Sequence, residues 1–138
     1  MNAHVAVART LTRLDHVRLS RRIASGQLAP DVAERLEDLL ACSDVVDSQL
    51  VPPDVVTMYS QVLLESGDGS APLKVAVCYP EHADPLEGFV SVFSPVGMAL
   101  LGLAVGQVAR WELPSGMERK AVIASILFQP EATGDYTT

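Results

Sequence analysis

Asp31-Val32-Ala33-Glu34 sets two carboxylates three residues apart, directly after Pro30. On a helix such a pair shares one face, and carboxylates suit a hard cation such as magnesium. The same residues also suit an ordinary first turn, where the helix dipole favours negative charge. Glu81, His82, Asp84 and Glu87 form a second acidic group. They crowd one proline-bounded stretch with no visible supporting partners, so they read as a solvated loop rather than a metal cage. His4 and His16 stand alone, and no Ser-His-Asp or Cys-His arrangement stands out. Gly67 to Gly69 has no Gly-Lys-Ser/Thr after it, so it is a turn and not a phosphate loop. Cys42 and Cys78 lie far apart and outside metal-ligand spacing, and read as two reduced thiols. No catalytic residue, cofactor or metal site is expected.

Two helices must carry the Asp31/Glu34 pair. The stretch from Thr10 to Ser25 has Leu11, Leu14, Leu19 and Ile23 on a loose helical stripe with arginines between them. Gly26 is a natural stop. Pro30 and Asp31 open a second helix, with Val32, Leu36, Leu39, Leu40 and Ser43 at three- and four-residue steps. A short connection predicts an antiparallel pair. Its arginine-rich and acid-rich members are expected to attract each other weakly. Pro52-Pro53 ends this part. The expected domains are therefore 1–51, a short helical coiled-coil hairpin, and 52–138.

Beyond Pro53 the pattern is strand-like. Thr57–Glu65, Leu73–Tyr79, Phe89–Phe93, Gln107–Leu113 and Glu118–Phe128 read as strands, punctuated by turn residues. Ser94-Pro95 is a strong helix start, with serine as cap and proline at the first position. The short apolar helix that follows, Val96–Leu101, should be buried against a mostly antiparallel sheet. The fold class is thus α+β.

Charge limits the partners. The chain has 138 residues and a formal net charge of −7. Residues 1–30 carry five Arg and one Asp, and 31–54 carry seven acids and one Arg. An acidic body with one basic element argues against specific DNA binding. No apolar run approaches the ~20 residues that span a bilayer. Residues 1–9 show no long apolar stretch with a small-residue cleavage site. The expected location is cytoplasmic, with no membrane contact and no small-molecule ligand.

Several strings carry a family resemblance. They are V-C-Y-P at 77–80, A-D-P-L-E-G at 83–88, S-V-F-S-P-V-G-M-A-L-L-G-L-A-V-G at 91–106, and W-E-L-P-S-G at 111–116. These resemble the carboxy-terminal domain of the bacterial Gre transcript-cleavage factors. Pro52–Met58, Gln129–Ala132 and Gly134–Tyr136 look more specifically like the Rnk branch, the regulators of nucleoside diphosphate kinase. The likeness covers roughly residues 50–136, and the first 50 only in kind.

The resemblance implies an FKBP-like domain carrying a coiled-coil hairpin, with RNA polymerase as partner near its secondary channel. It implies that Phe93, Ser94 and Pro95 form the polymerase-binding corner. Gre factors often carry an acid just before Ser-Pro; Phe93 here points to an apolar contact instead. It also implies that Asp31 and Glu34 mark the hairpin tip, which in Gre factors faces the polymerase's catalytic metal. Each arm has roughly 15 residues, about 22 Å at 1.5 Å per residue, whereas Gre hairpins are clearly longer. The expected protein is therefore a non-enzymatic transcription regulator without cleavage activity. The alternatives are a cleavage-stimulating elongation factor, or a regulator acting indirectly on nucleoside diphosphate kinase level. An FKBP-like fold also raises prolyl isomerisation. Such sites are lined by several aromatic rings, and this chain has only Trp111, three Phe and three Tyr.

Overall fold

In the computed structural model residues 8–137 are described, and His4 lies outside them. The first element is not the expected helix but a strand, β1 (Arg9–Thr12). Thr10 and Thr12 are β-branched, and Leu11 is only 1% exposed, so the extended form suits them. The buried Thr12 then caps helix α1 (Arg13–Ala24), its side chain accepting from Asp15 N. Helix α2 (Pro30–Ala41) starts on Pro30 as expected, without a side-chain cap. Leu36, Leu39 and Leu40 are its buried face, and Leu19 that of α1. A second strand, β2 (Ser43–Val46), follows where the helix was expected to continue. It pairs parallel with β1, Arg9 opposite Ser43 through Thr12 opposite Val46.

Three of the four arginines of α1 are tied to residues outside α2. Among the described residues, Arg13 pairs with Asp47 and Arg22 with Glu81. Arg18 donates to the Thr137 carbonyl. The expected attraction between the two helices is therefore replaced by ties to the rest of the chain.

Five more strands form one mixed, curled sheet: β3 (Gln61–Glu65), β4 (Leu73–Cys78), β5 (Phe89–Ser91), β6 (Val108–Glu112) and β7 (Glu118–Phe128). The spatial order is β5-β4-β3-β7-β6. All pairings are antiparallel except β4 with β5. The sheet is thus mostly antiparallel, as expected, and the one parallel pair arises because residues 80–87 carry the chain back before β5 starts. The expected strand from Thr57 begins only at Gln61. Residues 57–60 make a tight turn in which Tyr59 has a φ of +67°, and the Thr57 N–H donates to Ser60 Oγ.

Helix α3 (Pro95–Leu100) lies between sheet and amino-terminal elements, with Gly97, Ala99 and Leu100 buried. One core joins both ends of the chain: Leu11, Leu19 and Leu36 belong to the same buried cluster as Met58, Val77, Leu101 and Ile123. Arg9 closes α3. Its Nη1 donates to the carbonyls of Met98 (3.0 Å) and Leu101 (2.6 Å). The helix's last carbonyls need such partners, and burial pulls the guanidinium pKa down from its ordinary value. Charged hydrogen bonds of this kind contribute roughly 1.5–3 kcal/mol. Arg9→Ala should therefore lower the urea midpoint by an amount equivalent to about 2 kcal/mol; an unchanged midpoint would show that the cap contributes nothing.

Candidate functional site

The corner before α3 is built by three short interactions. Ser94 Oγ accepts from the Gly97 N–H at 3.2 Å and donates to the Ser91 carbonyl at 2.6 Å. The Phe93 N–H donates to Ser91 Oγ at 3.1 Å. Ser94 is thus occupied as a helix cap, and Phe93 is half-buried against the core. Pro95 is exposed at the first helical position. The corner presents an apolar face, held rigid from behind.

Asp31 is exposed in the first turn of α2, and Glu34 is exposed just beyond it. α1 and α2 have 12 residues each, about 18 Å of helix at 1.5 Å per residue. That is shorter than the roughly 22 Å expected. Asp31 lines the same cleft as Phe93 and Pro95, and Glu34 does not. This cleft, about 720 Å³, runs between α2, α3 and β6. Arg35, Arg110, Trp111 and Glu112 also line it, and none of them was singled out as a site residue from sequence. Trp111 was the available signal. It is the sole tryptophan of the chain, and it sits half-buried on an edge strand.

Glu81, His82, Asp84 and Glu87 are exposed. Glu81 meets Arg22, which holds its carboxyl below the usual range. His82 Nδ1 is hydrogen-bonded to the Tyr59 hydroxyl, and Arg22 lies 4.9 Å over the Tyr79 ring. These contacts fasten α1 to the 80–82 turn. Among the described residues, no three His, Cys, Asp or Glu side chains converge to hold a metal ion. Cys42 is exposed and Cys78 buried, both as free thiols.

Behind the surface lies a polar cluster that sequence patterning missed. Asp15 is 1% exposed; its Oδ2 accepts from the Met58 N–H at 3.3 Å, while Oδ1 has no hydrogen-bond partner. Burial pushes its pKa up to about 7, with Glu131 adding repulsion. The buried Thr57 hydroxyl donates to Glu131 at 2.7 Å. Gln129 Nε2 donates to the carbonyls of Pro52 and Val55, both at 2.8 Å. The 129–131 segment therefore seals the turn that Asp15 also touches.

The family model for the GreA/GreB transcription elongation factor carboxy-terminal domain matches residues 51–128, which span the whole five-stranded sheet with α3. The chain belongs to the GreA/GreB family. Its relatives extend the likeness beyond that domain. It is 38% identical over 106 residues to the regulator of nucleoside diphosphate kinase of Escherichia coli K12, covering 76% of this chain and 77% of the relative. It is 26% identical over 110 residues to the transcription elongation factor GreA of Clostridium acetobutylicum, covering 80% and 66%. Among solved structures, the GreA/GreB elongation factor of Nitrosomonas europaea superposes with a TM-score of 0.74 at 31% identity, covering 88% of this chain and 99% of that one. The Gre-family chain is thus an elongation-factor-like regulator by descent, and the E. coli relative is itself named as a regulator. No helix is long and apolar enough to cross a membrane among the described residues.

Proposed function

We propose that this Gre-family protein docks on RNA polymerase near the secondary channel and regulates transcription without stimulating transcript cleavage. The observation that carries the reading is the placement of Asp31 in the wall of a cleft shared with Phe93 and Pro95. In this reading 52–138 is an FKBP-like docking domain and 1–51 a short coiled-coil hairpin. Phe93, Ser94 and Pro95 grip the polymerase through an apolar contact. Asp31, mounted with Glu34 on about 18 Å of helix, stays beside the grip, and neither acid reaches a distant catalytic metal. The protein then acts by occupancy, as a non-enzyme. An effect on nucleoside diphosphate kinase, suggested by the name of the E. coli relative, follows indirectly from altered transcription.

Co-purification with core RNA polymerase tests the grip. The Phe93→Ala, Ser94→Ala, Pro95→Gly variant should lose at least tenfold in retention while keeping its far-UV circular dichroism. Undiminished retention would move the docking surface elsewhere. A stalled-complex cleavage assay tests the second half: the wild-type protein should add no cleavage. Stimulation that disappears in Asp31→Asn, Glu34→Gln would make it a cleavage factor instead.

A further inference from the structure

One edge of the sheet lies next to the cleft and carries no further strand among the described residues. Among the described residues β6 is terminal in the sheet, paired only with β7. Leu113 N donates to the Met117 carbonyl at 2.8 Å, and the Gln107 carbonyl accepts from Ile123 N. Residues 107 and 113 therefore face β7. In an antiparallel ladder this alternates residue by residue, so the N–H and C=O groups of Val108, Arg110 and Glu112 point outward. An unpaired row of this kind is a template for strand addition. Among the described residues nothing pairs with it, and the consecutive residues Arg110, Trp111 and Glu112 all line the cleft. Neighbours along a strand point to opposite faces, and Arg110 and Glu112 are exposed, so the cleft reaches this edge.

The side chains state what would fit. Trp111 shares the cleft with Leu39, Phe93 and Met98, as well as with the charged Asp31, Arg35 and Asp38; an apolar side chain on its face of the strand would add to the first group. On the opposite face, β6 and β7 bring like charges together: Arg110 lies across from Lys120, and Glu112 across from Glu118. Like charges directly opposite are unfavourable. The diagonal Arg110–Glu118 contact, at 3.5 Å and exposed, compensates only weakly. A third strand carrying an acid beside the Arg110 row and a base beside the Glu112 row would complete both rows.

We propose that β6 is a docking edge for an extended segment of a partner protein that pairs antiparallel and reads basic–apolar–acidic from its amino end. The cleft volume of about 720 Å³ lies within the roughly 300–1,000 Å³ range of ligand pockets. The inference goes beyond polymerase docking and does not rest on it, because binding is measured with the protein alone.

The probe is acetyl-Lys-Leu-Glu-Val-Thr-amide, titrated into the full chain while the fluorescence of Trp111 is followed. The expected result is a saturable shift, weakened at least tenfold when the two charges are exchanged in Glu-Leu-Lys-Val-Thr. Methylating the backbone nitrogens of the peptide at its Lys and Glu should abolish the shift. The Arg110→Glu, Glu112→Lys double variant changes only exposed side chains, and it should invert the preference between the two peptides. Equal binding of both peptides by the wild type, retained binding of the methylated one, or no saturable change with any of them would overturn the proposal.

Discussion

Replacing Gly97 by alanine should destabilise the protein by several kcal/mol. Helix propensity alone predicts the opposite sign, since alanine is better than glycine inside a helix by about 1 kcal/mol. Packing overrides it. A Cβ on Gly97 would lie 2.0 Å from the Ser91 carbonyl oxygen, 2.8 Å from its carbon and 3.0 Å from Val92 Cα. All three are backbone atoms, so no flexible side chain can yield. α3 would have to lift from the end of β5. Overpacking costs about 1–3 kcal/mol where some adjustment is possible, and here there is little. Urea unfolding should show a midpoint lowered accordingly, at unchanged slope. A change within about 0.5 kcal/mol would mean that α3 is free to shift. Ser91 also holds Phe93 and Ser94, so under the proposed docking, retention on polymerase should fall in the same variant.

Asp15 should make the protein lose stability as the solution becomes less acidic. Its folded pKa, about 7, lies above its ordinary value of 3.8. Below pH 3.8 the carboxyl is protonated in both states and its burial is tolerated. Between 3.8 and about 7 the unfolded chain ionises while the folded chain keeps its proton. Proton release then favours unfolding, and stability declines with rising pH. Above about 7 the loss is complete. Each pH unit separating the folded and unfolded values corresponds to about 1.4 kcal/mol, so the total is on the order of a few kcal/mol. Asp15→Asn removes the titration. Its amide oxygen can still accept from Met58, and its NH2 occupies the position of the unpartnered Oδ1. Thermal melts should show the variant several degrees more stable than wild type at pH 8, with the gap closing toward pH 4. A constant gap across that range would refute the ionisation argument. Ordinary carboxylates such as Glu81, held by Arg22, act in the reverse sense. The difference between variant and wild type isolates Asp15.

Much of the carboxy-terminal half was legible in the residues. Ser94-Pro95 announced α3, and the pattern Glu118–Phe128 marked β7 from end to end. Both signals are local: a capping side chain, a proline at its one tolerated helical position, a turn just before. The resemblance strings pointed to the family that the comparisons show. What stayed hidden depends on distant partners. Thr10-Leu11-Thr12 carries a leucine that fits a helical stripe, and only pairing with Ser43–Val46 makes it a strand. The arginines of α1 look like partners for the acids of α2. The contacts of Arg13, Arg22 and Arg18, to Asp47, Glu81 and the Thr137 carbonyl, lie farther along the chain. The cleft could not be foreseen either. α2, α3 and β6 are separated in sequence, and no pattern within one element records that their surfaces face each other.

The β1–β2 ladder bears on how such proteins diversify. It clamps both ends of the segment that contains α1 and α2, with Thr12 opposite Val46 and Arg9 opposite Ser43. A segment held at both ends can change length in its middle while its anchors keep their register. The connection at Gly26 meets nothing within 4 Å of a would-be side chain, so added turns there have room. Doubling a loop costs only about 0.6 kcal/mol in closure entropy, and each paired turn of helix adds about 5.4 Å of reach. Lineages could therefore lengthen or trim this segment as a ruler, in small inherited steps, while the sheet that carries it stayed the same.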